Sequence, residues 1–410
     1  MLPEALPYHL KVCDYFRSHA STWEFFAAAR TREEQLVAFQ NDLLKNTYRF
    51  SREGEPGLFD KIDRARAALE LTDLPVRAYQ AADQPGNELN ARIIYLHQEA
   101  HLVLMGPILE KLDEQELLAV IAHELAHVRL YILLNGEVEV AARIITSIAN
   151  HPQSDPVYLE TARLFSLYTE IYCDRCAYTV MGDPTPVISM LLKLATGLMT
   201  VNVESYIRQA ESIFSTDPGT KSGMPTHPET YIRTRALYLY SLQGETAGPA
   251  IAGMIEGVPD LSRLDLFVQQ ELYDLTYDLL QEYLRPEWMQ TELIKGLRQQ
   301  YFPREKKGTG GKDRAGGEAR ALRRLEQLAA AMEGMHPDIR TYFGYVLLDF
   351  ALADPSLEDM PAGRALEFAG ELQLSEVYET ICRKELQLND KKWQQQKEKL
   401  LKAYAGLSKD

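Results

Sequence analysis

The chain has 410 residues, a formal net charge of −15, 46% hydrophobic and 25% charged residues. So long a chain exceeds one ordinary core, which predicts two or three domains of soluble, globular composition. The acidic balance argues against nucleic acid or an anionic membrane as the primary partner.

No window of about 18 residues is both apolar and free of charge, so no transmembrane segment is expected. The opening MLPEALPYHLKVCDYF lacks the charged, apolar and small-residue zones of a secretory signal. Four cysteines in so long a chain make no disulfide framework. Together these features predict a cytoplasmic protein.

In chain order, residues 1–72 read as a helical region packing on the next domain. Apolar residues recur at three and four spacings over 8–30 and 31–48, and SREGEPG separates these from a helix at 58–71. Residues 74–80, 91–96 and 102–105 alternate or run apolar between turn residues, which predicts short strands. HQEAH holds His97 and His101 four apart, but its strand-like flanks favour a solvated hairpin turn over a helical metal pair.

The next run, ELLAVIAHELAHVRLYILL, is apolar nearly all round and reads as a buried helix. Asp113 with Glu116 resembles a capping box at its start, and Asn135-Gly136 supplies a left-handed stop. Residues four apart share a helix face, so His123 and His127 can aim two imidazoles at one metal ion, with Glu124 beside it as general base. Two histidines and a carboxylate buried without partners would cost on the order of 2–7 kcal/mol per group, which a bound cation relieves.

After a helix at 138–150, Asp155-Pro156 starts and Gly182 stops a long helix over 156–181. Within it Glu170 and Asp174 share a face. Glu170 can act as third ligand while Asp174 receives the other ring N–H of a ligand histidine. Two histidines, a glutamate and an open position form a catalytic zinc arrangement.

HELAH, then SLYTEIYCD, then THPETYIR together resemble the zinc metallopeptidases of the HtpX and CAAX-prenyl-protease type, a branch of the gluzincins. The resemblance covers residues 75–240 and implies one Zn2+ held by His123, His127 and Glu170, with Glu124 as base and Asp174 behind the ligands. It also matches Asn90-Ala91 to the start of the substrate-pairing strand, and His227 and Arg233 to a late catalytic His-Pro motif. Leu167 stands where the family often has arginine, and Cys173 where it often has alanine.

Cys173 and Cys176 form a CxxC, read either as a redox or metal pair or as small residues packing against the site. Helices are expected at 186–200 and 202–214, and STDPGTKSGMPTHP forms a Gly/Pro-rich loop delivering His227. His227 would stabilise the oxyanion, with Arg233 positioning it or binding substrate; alternatively His227 occupies the open position and latches the enzyme.

GETAGPAIAGMIEG reads as a break ending the catalytic domain. Helices follow at 261–284 and 286–301, then a Gly-rich linker at 303–318 whose diluted charge disfavours a nucleic-acid arm. Residues 319–410 read as a helical domain, with helices at 338–353, 361–372 and 375–386. YVLLDFALADPSLEDMPAGRALEFAGELQLS is similar to the TerB-type helical domain, which implies a helical fold; Asp354-Pro355 and Pro361 depart from that family's metal-binding turn, so no metal site is implied. A protein-interaction or regulatory module is expected, with packing onto the peptidase as the alternative.

The predicted architecture is therefore mostly α with a small β-sheet (α+β): a helical region (1–72), a gluzincin metallopeptidase domain (73–243), a helical extension (244–302), the linker (303–318) and the C-terminal domain (319–410). The function expected is a zinc endopeptidase acting on proteins or peptides. The alternative is a latched or non-proteolytic zinc-binding adaptor.

Overall fold

The computed structural model describes residues 2–28, 33–81, 89–96, 98–303 and 318–405, with the side chains of 33–38 and 318–322 excepted. Most of the predicted linker, and His97, lie outside the described residues. The fold is mostly α with a four-stranded sheet, as the sequence predicts, and divides into two compact units, Met1–Gly257 and Val258–Asp410.

The first unit runs α1 (Pro7–Arg17), α2 (Ala20–Ala28), α3 (Glu33–Asn46), β1 (Thr47–Arg49), α4 (Pro56–Ala68), β2 (Val76–Ala81), β3 (Asn90–Leu96), β4 (Glu99–Met105), α5 (Ile108–Lys111), α6 (Glu114–Ala149), α7 (Pro156–Met181), α8 (Pro184–Thr196), α9 (Val203–Thr216), α10 (Thr230–Gln243) and α11 (Gly248–Ile255). Three elements differ from the sequence reading. The helix expected over 8–30 ends at Arg17, where the Ser18 hydroxyl donates back to the Tyr15 carbonyl at 2.7 Å and competes with helical pairing. The second N-terminal helix stops at Asn46 and the chain continues as β1, a fourth strand. The Gly-rich 244–257 stretch is helical and belongs to the first unit, because Ile251, Met254 and Ile255 are buried there and packing overrides weak propensity.

The sheet order is β1-β2-β4-β3, with β2 and β4 parallel and the outer pairs antiparallel. β4 is central and buried along its length. His101 corrects the solvated-turn reading: it lies within β4, fully buried, 3.1 Å from the Tyr79 hydroxyl, stacked on that ring and edge-on to Phe39. That places it in the sheet core.

α6 and α7 form the centre of the unit. At the N-terminus of α6 the capping box is present: Asp113 accepts from the amides of Gln115 and Glu116 at 2.9 Å, and Glu116 accepts from the Asp113 amide at 2.8 Å. Buried Lys193 of α8 also reaches Glu116, at 2.7 Å. α6 is broken at Leu133–Gly136, where Leu134, Asn135 and Gly136 all have positive φ. It is long and apolar enough to cross a membrane by length and composition, and 72% of its most apolar stretch is buried inside the protein. α7 starts on the Asp155 cap with Pro156 in its first turn and ends at left-handed Gly182.

The N-terminal segment packs across this pair. Arg129 of α6, buried, donates to the Pro3 carbonyl at 2.7 Å and to the Tyr172 hydroxyl. His9 lies 3.3 Å from the Thr169 hydroxyl, and Tyr8 stacks on Tyr168.

The second unit is all helical among the described residues: α12 (Leu266–Tyr283), α13 (Glu292–Tyr301), α14 (Glu318–Met332), α15 (Pro337–Ala351), α16 (Met360–Glu371), α17 (Ser375–Glu385) and α18 (Asp390–Ala405). Phe343, Leu347, Phe350, Tyr378 and Trp393 are fully or almost fully buried in its core. α16 and α18 approach so closely at Gly363 that a Cβ there would stand 2.2 Å from the Leu400 carbonyl oxygen. Of the helical extension expected at 244–302, residues 258–302 fold within this unit.

Candidate metal centre

Helical spacing brings the site together. His123 and His127 lie on the α7-facing side of α6, with Glu124 next to His123 and bonded to the Ile93 amide of β3, and Glu170 and Asp174 lie on the facing side of α7. His123, Glu124, Glu170 and Asp174 are all buried, while His127 keeps some exposure. His123 Nε2 lies 3.4 Å from Glu170 Oε2, and His127 Nε2 lies 3.5 Å from Glu170 Oε1.

These separations test the donor set against zinc. Tetrahedral ligands at about 2.0–2.1 Å from Zn2+ stand roughly 3.3 Å from one another. Each imidazole Nε2 stands at close to that spacing from one oxygen of the Glu170 carboxylate, and the two imidazoles offer nitrogens within 4.8 Å of each other, so the residues fit the ion.

His123 Nδ1 lies 3.1 Å from Asp174 Oδ1, close enough for an ion pair but off the line of a hydrogen bond. Arg233 of α10 grips Asp174 with two hydrogen bonds, at 2.8 and 2.7 Å, and lies 3.3 Å from Glu170. The sequence reading gives Arg233 to His227 or substrate; the partners described for it here are Asp174 and Glu170. Its guanidinium is largely buried and held by the two carboxylates behind the imidazoles.

The electrostatics follow from this packing. Burial pushes the Glu124 carboxyl up to about 7, opposed by His123 and a backbone hydrogen bond from Ile93 in β3. For Glu170 burial works against the charge, yet Arg233, His123 and His127 hold it well below the usual carboxylate range. Asp174 is likewise lowered, because Arg233 and His123 outweigh the burial that opposes its charge. Burial pushes His127 down to about 4, whereas for His123 burial opposes the charge but Asp174 and Glu170 outweigh it and raise the imidazole to about 10.

His227 sits at the mouth of this cluster. Its ring is 62% exposed, with Nε2 3.6 Å from Glu170 Oε1 and Nδ1 2.8 Å from the Thr226 hydroxyl. Arg163 of α7, which no sequence pattern singles out, donates to the carbonyls of Ser222 (3.4 Å) and Met224 (3.2 Å) in the delivering loop. The Ser222 amide adds a bond to the Met254 carbonyl of α11 at 2.9 Å.

Asn90 and Ala91 open β3, which pairs only with β4 among the described residues. Asn90 Oδ1 accepts from the Ala91 amide at 2.8 Å, so this side chain shapes the strand's start. Neither residue lies in the imidazole cluster. The Ile93 amide ties the same strand to Glu124.

Cys173, on the same face of α7, is fully buried, and its Sγ and the imidazole nitrogens of His123 and His127 all lie within 4.8 Å of one another. Cys176 instead bonds the Tyr172 hydroxyl.

Residues 58–131 match the family model described as Peptidase family M48. The plastoglobule-localized metallopeptidase 48, chloroplastic, of Arabidopsis thaliana is 31% identical over 153 residues, covering 33% of this chain and 44% of that protein. This chain thus spans less than half the length of the curated relative it matches. No solved structure matches. The family match runs from α4 through the sheet into α6, so this likeness to metallopeptidases includes His123, Glu124 and His127 and ends before Glu170.

Proposed function

We propose that the protein is a zinc-dependent endopeptidase. The observation that carries this is the spacing of 3.4 and 3.5 Å between two imidazoles and one carboxylate beside a buried glutamate. His123, His127 and Glu170 would hold the ion, which supplies Lewis acidity, lowering the pKa of water to about 7 and polarising a carbonyl.

The chain's own groups do the rest. Glu124, buried beside the two imidazoles, takes a proton from the attacking water and hands it to the leaving amine. An extended substrate adds to β3 near Asn90 and Ala91, bringing its carbonyl towards Glu124. His227, on a loop anchored by Arg163, donates to the developing oxyanion. Arg233 fixes Asp174 and Glu170, and through them the orientation of His123.

The narrower kinship, with HtpX and CAAX-type enzymes, rests on Asn90-Ala91 and on His227-Pro228 followed by Arg233. A TerB-like second unit would serve a protein partner. All four cysteines are buried and unpaired, which supports a cytoplasmic location. The alternative, a latched or non-proteolytic adaptor, is favoured by one observation: His227 Nε2 already lies 3.6 Å from Glu170 Oε1.

The deciding experiment compares proteome-wide cleaved termini between wild type and Glu124→Gln. Cleavage lost by about 100-fold or more with zinc retained supports the peptidase. No difference in cleavage between the two leaves the adaptor reading.

A further inference from the structure

We propose that Cys173 is a metal ligand: in the resting protein its thiolate completes a His123, His127, Glu170 and Cys173 set, closing the position that water or substrate must occupy. This rests on the zinc-site reading and extends it to the control of that site.

Three observations carry it. Cys173 Sγ lies within 4.8 Å of donor nitrogens on both imidazoles. The side chain is fully buried on the stretch of α7 that carries Glu170 and Asp174, so no loop movement is needed to bring it in. The neighbouring Cys176, one turn on, is engaged by Tyr172, so the CxxC is divided between two environments. A helical CxxC acting as one dithiol would have both sulfurs available to each other. Here only one faces the imidazoles.

Two nitrogens, one oxygen and one sulfur form a four-coordinate donor set that suits Zn2+ over Mg2+ or Ca2+, which take oxygen ligands. His227 is the competing occupant, but its ring is 62% exposed on a loop, whereas Cys173 is held on a buried helix. Ligation releases the thiol proton to solvent, and displacement of the sulfur by water or a substrate carbonyl returns one proton to Sγ. No electrons move.

The test uses the full chain and reads the metal directly. X-ray absorption of the zinc-loaded wild type should show a sulfur neighbour at about 2.3 Å as well as nitrogen and oxygen at about 2.0–2.1 Å. Replacing zinc with Co2+ should give a thiolate-to-cobalt charge-transfer band. Cys173→Ser should lose that band while binding one Co2+ per chain, and Cys176→Ser should keep it. Bound metal with no sulfur neighbour in wild type, or a band persisting in Cys173→Ser, overturns the thiolate ligand and leaves the zinc site standing. Failure of wild type to bind either ion overturns both. The absorption measurement needs no variant, so a Cys173→Ser chain that misfolds does not remove the test.

Discussion

In the first unit His123, Glu124, Arg129, Glu170, Asp174 and Arg175 are each 8% exposed or less, besides Glu116 and Lys193 at the α6 cap, whereas the buried charged side chains described in the second unit are Asp265, Glu282 and Asp354. Two of the second unit's three serve their own segment, and the third ties two helices together. Asp265 caps α12 through the amides of Phe267 and Val268, Asp354 accepts from the Ser356 amide, and Glu282 pairs with Arg324. In the first unit Arg233 and Glu124 join residues from four separate elements, α6, α7, α10 and β3, around one point. Buried charges from several elements converging on one point, beyond what caps and ion pairs between neighbouring elements explain, mark where chemistry is placed.

The largest test of that contrast is Asp174→Asn. It removes the carboxylate charge that pairs with the largely buried Arg233, and the first unit should lose about 3–5 kcal/mol, towards the low end because Glu170 remains. Hydrogen exchange should rise across α6, α7 and α10 and not in the second unit. A loss no larger than that of a surface substitution would erase the distinction.

In the second unit shape should matter more than charge. Gly363→Ala drives a methyl against the Leu400 carbonyl and should cost about 1–3 kcal/mol, seen as faster exchange in α16 and α18. A neutral outcome would mean that this helix pair can slide.

Acid should separate the units as well. Burial pushes His9 from 6.5 down to about 3, so the folded protein refuses a proton that the unfolded chain accepts. Its contribution is intact above pH 6.5 and is lost as pH falls towards 3, about 2 kcal/mol by pH 5. His9→Gln should flatten that slope in a urea titration series across pH; an unchanged slope assigns the acid sensitivity elsewhere. Smallest is Asp265→Ala, worth about 1 kcal/mol as a lost helix cap and confined to α12.

What the sequence made legible is what repeats at short range. His123 with His127, and Glu170 with Asp174, are visible because helical periodicity fixes their common face, and the caps at Asp113, Asp155 and Gly182 are local chemistry. β1 is hidden because three residues are too few to show alternation. The grip of Arg233 on Asp174 spans 59 positions and leaves no local trace, and neither does the hold of Arg163 on the loop before His227. The sequence around His101 points to a turn, whereas its burial is decided by Tyr79 and Phe39 from other elements.

The break in α6 divides the helix into two parts with different tolerance to changes in length. Each residue advances a helix by about 100°. One residue inserted between the Asp113 cap and His123 would therefore swing both imidazoles away from Glu170. The same insertion at Asn135, where three successive residues already turn left-handed, can be absorbed without altering the angle of anything before it. The register of the site is thus counted from Asp113 forwards, and Leu133–Gly136 insulates it from whatever happens to the helix beyond.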